Sequence, residues 1–391
     1  MIRAASAGVL VVLALTGGAP HAAPPQEPKG GVSFRMTEIQ RDWGVVYAVR
    51  VADVNGDGRP DVVAINPTQL AWFENPTWQR HVIVDGATPR DNVTVAAADI
   101  DGDGRPEIAL GAAWNPRNTT SGGTLHLATR STPDGRAPWK VSSIFEEPTL
   151  HRIQWAHVDA DQRPELVVTP LHGRGTSPPD WNGPGARIVL LRPPSELAGG
   201  PWAPEVVDDT RHILHNFLVT RFGDGGGDDL VTASREGLTL FTRDAGGRWG
   251  SRLLARSSPG EVALGRVGGT RVFATIEPWH GSSLVTYIEA GSEWKRQVID
   301  DTITGGHAVA WGDFDGDGDG EIVAGWRDKA VALARYEISP TGASVARQIV
   351  DNGVAVEDLA VADLNADGRP DIVAGGRSTA NIRVYMNETV R

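Results

Sequence analysis

The sequence predicts an all-β protein: a seven-bladed β-propeller of four-stranded blades. Three observations point to it. A short acidic phrase recurs along the chain, its copies are spaced at a blade-like period, and strand-like runs flank every copy. The phrase reads DVNGDGRPD at 53–61, DIDGDGRPE at 99–107, DFDGDGDGE at 313–321 and DLNADGRPD at 363–371. Weaker copies stand at 157–165 (HVDADQRPE) and 221–229 (RFGDGGGDD). Successive starts lie 46 to 64 residues apart, except for one interval of 92 between Arg221 and Asp313. That interval holds two periods. A seventh copy is therefore expected near Val267, where EVALGRVGGTRVFATIEP keeps the apolar pattern around a stripped turn.

Taken in chain order, residues 1–23 read as a signal peptide. Arg3 gives the positive start, Val9 to Leu15 the short apolar run, and Ala19, Ala22 and Ala23 the small residues that follow. Residues 24–31 (PPQEPKGG) read as a flexible leader. No other apolar stretch reaches membrane length, so a secreted or periplasmic protein with no membrane span is expected. The propeller occupies 32–391. In each repeat an alternating run such as Tyr47–Val51 enters the turn and a β-branched run such as Val62–Ile65 leaves it, which makes a hairpin. A third strand follows, as at Leu70–Phe73, Leu238–Phe241 and Val331–Tyr336. A fourth begins on tryptophan at Trp78, Trp139, Trp202, Trp249 and Trp294. The last repeat has only three strands before Arg391. The N-terminal segment Val32–Gln40 should complete that blade and close the ring, which removes the open sheet edges.

Composition narrows the function. The 391 residues include no cysteine, so there are no disulfides, no Cys-ligated metal and no thiol nucleophile. Lys+Arg 37 against Asp+Glu 49 gives a net charge of -12, with no basic tract to neutralise phosphates; nucleic acid is not an expected partner.

The acidic turns place oxygen side chains at positions 1, 3, 5 and 9, with a backbone carbonyl available at 7. Hard oxygen ligands at this spacing suit Ca²⁺ in a structural role. Position 12 is Ala64 and strands flank the loop, so it is not an EF-hand. Four copies keep every ligand: Asp53, Asn55, Asp57 and Asp61; Asp99, Asp101, Asp103 and Glu107; Asp313, Asp315, Asp317 and Glu321; Asp363, Asn365, Asp367 and Asp371. The copies at His157 and Arg221 lack the first ligand. So many carboxylates at one centre repel unless a cation offsets them. These loops and blades resemble the FG-GAP/VCBS repeat, which implies a propeller but not one function, because such propellers serve adhesion, sugar binding and catalysis alike.

A second constellation lies six residues before each turn. Aligned on the turns, that slot holds Tyr47, Val93, His151, His215, Glu261, His307 and Glu357, with the register at Glu261 uncertain because its turn is degenerate. Six strand residues span about 20 Å, so the slot sits at the opposite mouth of the ring from the turns. Arg235, Arg327 and Arg377, fourteen residues after the turn's start, return to the same mouth, with His172 in PLHG and His280 in PWHG nearby. Polar residues on inner strands need a cause. The plain one is a solvated funnel. A binding site would use the arginines as carboxylate clamps and Trp114, Trp279 and Trp326 as stacking faces. A catalytic site would use the histidines, with Glu261, Glu357 and Tyr47, for acid–base chemistry or to bind Zn²⁺ or another divalent ion. The Gly- and Pro-rich stretch 173–201 is the longest insertion, either a lid over this mouth or surface padding.

The phrases LHRIQWAHVDADQRPELVVTPLHG and GGHAVAWGDFDGDGDGEIVAGWRD resemble the propeller domain of aldos-2-ulose dehydratase and its bacterial relatives. The resemblance implies a metal-assisted dehydration of a keto-sugar, with His151, His172, His215, His280 and His307 as metal-ligand or acid–base residues. The fungal enzyme also carries cupin domains, which this chain lacks, so a second step assigned to those domains is not expected. The leading expectation is an exported sugar-directed lyase. The alternative is a non-catalytic, calcium-stabilised propeller that binds carbohydrate or protein.

Overall fold

The computed structural model describes residues 31–389 apart from 160, 162, 198–199, 224–225 and 343–344; the expected signal peptide and all but the last residue of the leader lie outside the described residues. Among the described residues there is no helix, so none is long and apolar enough to cross a membrane. Strands form seven separate four-stranded sheets, each a meander of consecutive antiparallel strands except the last. The inner strands of blades one to seven are Ala48–Ala52, Thr94–Ala98, Leu150–Ala156, Asn216–Thr220, Glu261–Val267, Gly306–Gly312 and Val356–Ala362.

The acidic turns explain themselves locally. In blade one Gly56 (φ +76) and Gly58 (φ +83) adopt left-handed backbone that a Cβ would strain, which lets the loop wrap around the Asp53 carboxylate. Asp53 accepts the Gly56 and Gly58 N–H groups, both at 2.8 Å. At the ninth position Asp61 is fully buried and accepts the N–H groups of Val54 and Asn75 at 2.9 Å each. The Asn75 amide in turn donates to Pro60 O at 2.9 Å and, across the blade boundary, to Leu364 O at 2.6 Å. Asn387 repeats the device from blade seven to Phe314 O of blade six at 2.8 Å. Each such bond contributes on the order of 1 kcal/mol and fixes one blade against the previous one.

The stripped seventh copy forms blade five. Val267 pairs with Thr270 around Gly268 and Gly269 (φ +55 and +75), a two-residue hairpin in place of the acidic loop. The ring closes as expected: Phe34–Gln40 lies antiparallel to Ile382–Asn387 as the outer strand of blade seven, with Phe34 opposite Asn387. The core fills the spaces between neighbouring blades with side chains such as Trp72, Phe73, Phe273 and Tyr336, all at 0% exposure, and this buried apolar surface supplies most of the cohesion.

Candidate functional site

Every inner strand runs from one face of the ring to the turns on the other, so the slot residues collect at one mouth. There the structure brings three imidazoles together. His215 immediately precedes the inner strand of blade four, His307 lies in that of blade six, and His280 lies in the loop after the second strand of blade five, Thr270–Glu277. Their ligand-capable nitrogens all lie within 4.8 Å of one another. Nε2 of His215 and Nε2 of His280 are 2.5 Å apart.

The ring makes this aim possible. Each slot histidine donates its Nδ1–H to a backbone carbonyl of the next blade: His151 to His215 O at 2.8 Å, His215 to Gly260 O at 2.9 Å and His307 to Glu357 O at 2.5 Å. With the proton held on Nδ1, Nε2 of His215 and His307 carries the lone pair that a metal needs. Burial keeps both rings well below the usual imidazole range, so they are neutral at neutral pH. His280 is lowered first by burial and then by His215. Arg327 reaches Nδ1 of His280 at 3.3 Å, so the His280 proton sits on Nε2 and bridges to His215. For His280 to ligate an ion through Nε2, that proton would have to move to Nδ1 and the Arg327 contact would have to be given up.

The same hydrogen bonds correct the register of blade five. His151 and His307 point at the slot carbonyl of the following blade, so the carbonyl that His215 meets marks Gly260 as the slot, not Glu261. Glu261 stands one residue further down the strand. There its carboxylate also meets Nδ1 of His215 at 3.0 Å, accepts from the Asn216 amide and lies 3.8 Å from Arg152. Burial pushes this carboxyl up to about 7.

Other expected residues take different places. His151 is outside the trio: its Nε2 accepts from Arg152 at 3.1 Å and its ring stacks on Trp114 at 4.7 Å. Glu357 is held by Arg327 on one oxygen and by Arg377 on the other at 2.7 Å, so it is a paired carboxylate rather than a free base. Arg377 also lies over the ring of half-buried Tyr47, whose hydroxyl burial pushes up. Arg235 is not an open clamp. It donates to Asp180 O at 2.6 Å and Asn182 Oδ1 at 3.1 Å and so secures the insertion. Trp326 faces the core between blades five and six, with its indole N–H on Ala330 O, rather than the mouth. Trp279 does reach the mouth, stacked beside His280 at 5.6 Å.

The insertion contributes a residue that sequence reasoning missed. Trp181 stacks flat on His172 at 3.7 Å and 8°. The segment is tied to blade two through Thr119 and Thr176 at 2.8 Å, and to blade four through Arg235 and through His212 on Gly183 O at 3.0 Å. Buried Glu147 receives Arg174 at 3.0 Å and Arg187. Residues 173–185 form a fixed roof beside the mouth, whereas Ala186–Leu191 of the expected insertion is the third strand of blade three. Burial lowers His172 to about 4, and its Nδ1 has no partner, so Nε2 is the nitrogen left to act.

On the far face, the carboxylates Asp313, Asp315, Asp317 and Glu321 converge, as do Asp99, Asp101 and Glu107. So do Asp159, Asp161 and Glu165, in the copy whose first position is His157. The first-position carboxylates Asp53, Asp99, Asp313 and Asp363 all accept loop N–H groups.

The FG-GAP-like repeat family matches residues 53–110 and 313–374, which are the turns of blades one, two, six and seven. The chain is a seven-bladed propeller that carries FG-GAP-like repeats in these four blades. A second family, the β-propeller domain of aldos-2-ulose dehydratase, matches residues 122–290 of this FG-GAP propeller, a stretch that contains His151, His172, His215 and His280. Aldos-2-ulose dehydratase of Phanerodontia chrysosporium is 27% identical over an alignment of 219 positions that covers 48% of this chain and 24% of that enzyme. The FG-GAP propeller thus matches only about a quarter of that enzyme's length. Among solved structures it is similar to BBS1N in complex with ARL6DN (TM-score 0.57, 11% identity, covering 91% of this chain and 96% of that one). It is also similar to an Agrocybe aegerita lectin that recognises non-reducing terminal N-acetylglucosamine (TM-score 0.53, 12% identity, covering 88% and 86%). At these identities the likeness to both structures is one of fold.

Proposed function

We propose that the histidine-lined mouth binds a keto-sugar and catalyses carbon–oxygen elimination with the help of a divalent ion such as Zn²⁺. The convergence of His215, His280 and His307, two of them with Nδ1 already tied to carbonyls, carries this reading. The similarity to aldos-2-ulose dehydratase supports the substrate class. The three histidines would hold the ion, which when bound supplies a Lewis acid for a sugar oxygen. The rest of the chemistry falls to the protein. Arg327 and Arg377, locked by Glu357, present fixed positive charge where an enolate oxygen develops. His172 is neutral at neutral pH, so its Nε2 takes the proton lost beside the carbonyl and returns it to the departing hydroxyl, which leaves as water. Trp279 and Trp181 offer ring faces to the sugar. Purified protein should carry about one transition-metal ion per chain and convert a keto-sugar to an unsaturated product that absorbs in the ultraviolet. Protein that holds calcium only and leaves keto-sugars intact overturns the reading.

We further propose that the chain is exported and that the acidic turns bind structural Ca²⁺. Burial raises Glu321 to about 8 and Asp61, Glu107 and Glu165 to about 7. A carboxyl raised on folding favours the folded state only while protonated. Ion-free protein therefore loses stability as pH rises from about 4.5, the unfolded glutamate value, through about 8. Calcium favours the ionised form, so its effect has the opposite slope. Thermal melts with calcium and with chelator should differ little near about pH 5 and widely near about pH 8. Equal differences at both pH values would rule out the buried carboxylates as ligands.

A further inference from the structure

A cavity of about 560 Å³ lies apart from the histidines. It runs along the ring axis and is lined by the inner strands of all seven blades, yet none of the three histidines borders it. A collar of polar side chains borders it near the histidine level: Arg50, Arg152, Asn216, Glu261 and Asp358. These charges are paired, Arg50 with Asp358 at 2.7 Å and Arg152 with Glu261 at 3.8 Å. The collar therefore offers hydrogen-bond donors and acceptors without net charge. One of its acceptors, Oε1 of Glu261, on a residue only 4% exposed, lies 3.0 Å from Nδ1 of His215 and 3.8 Å from Arg152 without a well-aligned hydrogen bond to either.

Towards the turn face the wall becomes aromatic. Trp155 of blade three and Trp311 of blade six border the cavity, and both are half-buried. Blades three and six lie on opposite sides of a seven-membered ring. Trp311 lies against its neighbour: a Cβ on Gly265 of blade five would fall 2.2 Å from its Cδ2, and one on Gly320 would fall 3.0 Å from its Cε3. Glycine at these points lets the indole pack closely against backbone while Trp311 borders the cavity. Both indole N–H groups are buried without an acceptor, so these residues offer ring faces rather than polar tips. Between collar and indoles the wall is alanine, as at Ala263, Ala310 and Ala360, which keeps the bore open.

We propose that this axial cavity is a second binding site, entered from the turn face, for a neutral saccharide of one to three sugar units. A sugar pairs an apolar face, which suits an aromatic ring, with hydroxyls that both donate and accept, which suits a charge-paired collar. An anionic ligand would need an arginine free of carboxylate, and both collar arginines are already engaged. The site is separate from the histidine mouth and does not depend on its chemistry.

The test titrates a panel of neutral mono- to trisaccharides, maltotriose and cellotriose among them, into calcium-loaded full-length protein and follows tryptophan fluorescence and heat. At least one sugar should bind. Trp311→Ala should weaken that binding about tenfold or more. Ala360→Phe, which narrows the bore and leaves both tryptophans unsubstituted, should abolish it. His280→Ala should leave it unchanged. A circular-dichroism melt confirms folding of each variant, and the narrowed-bore variant decides the matter if Trp311→Ala does not fold. Failure of the whole panel to bind overturns the proposal. So does affinity that His280→Ala removes and Ala360→Phe keeps, because the sugar would then sit at the histidine mouth.

Discussion

Replacing His307 with alanine is expected to strip the transition metal from the mouth and to lower elimination activity by a factor of about one hundred or more. Partners behind a ligand typically contribute ten- to a hundredfold in metal affinity, and a ligand contributes more. His307 is buried at 4% exposure, so its loss also leaves a small void and frees Glu357 O from its bond. A modest fall in stability should accompany the loss of metal. His280→Ala separates the two effects, because that ring is the exposed member of the trio. It should lose metal and activity to a similar degree with little change in melting temperature. Metal content measured after dialysis, beside the rate of product absorbance, checks both variants. Full metal occupancy in either would show that the ion does not sit among these three rings.

Arg335→Ala should be the most destabilising substitution around the acidic turns, costing about 3–5 kcal/mol in calcium-free buffer at about pH 9, above the value of about 8 to which Glu321 is raised. Arg335 is fully buried, and its guanidinium lies 3.1 Å from Asp315 and 3.5 Å from Glu321. Removing it leaves Glu321, itself only 2% exposed, beside other carboxylates with no cation to offset them. Calcium should therefore restore more stability to the variant than it adds to the unaltered protein. Urea denaturation with and without calcium reads both quantities. A cost below about 1 kcal/mol without calcium would mean that the cluster is held protonated and needs no cation.

The repeats made the ring legible. The acidic phrase marks where each inner hairpin turns, and the interval of 92 residues betrayed blade five although its turn is only Gly268 and Gly269. Glu261 was misplaced by one residue for the same reason: counting back from a turn fails where the turn has been shortened. Partner choice was not legible. Nothing in the sequence distinguishes Arg235, which secures the insertion, from Arg327 and Arg377, which meet at Glu357, because the difference lies in which loop stands across the mouth. Trp326 and Trp279 each sit near the end of a second strand, and only the packing of the neighbouring blade decides that one is core and the other lines the mouth. Trp181 had no periodic signal at all. Its one clue was a large aromatic residue within a glycine- and proline-rich insertion. The collar was closer to view, since shifting the slot by one position yields Arg152, Asn216 and Asp358.

The carbonyls that hold the slot histidines always belong to the following blade. The angular pitch of the ring therefore acts as a ruler for where the slot imidazoles point. Each imidazole is aimed by the distance to its neighbour and not by its own strand. A ring of six or eight blades built from the same strands would rotate every carbonyl relative to its histidine and scatter the nitrogens that now meet. Blade number is thus a chemical parameter of this protein, and gain or loss of a repeat elsewhere in the circle would retune the mouth without altering any residue in it.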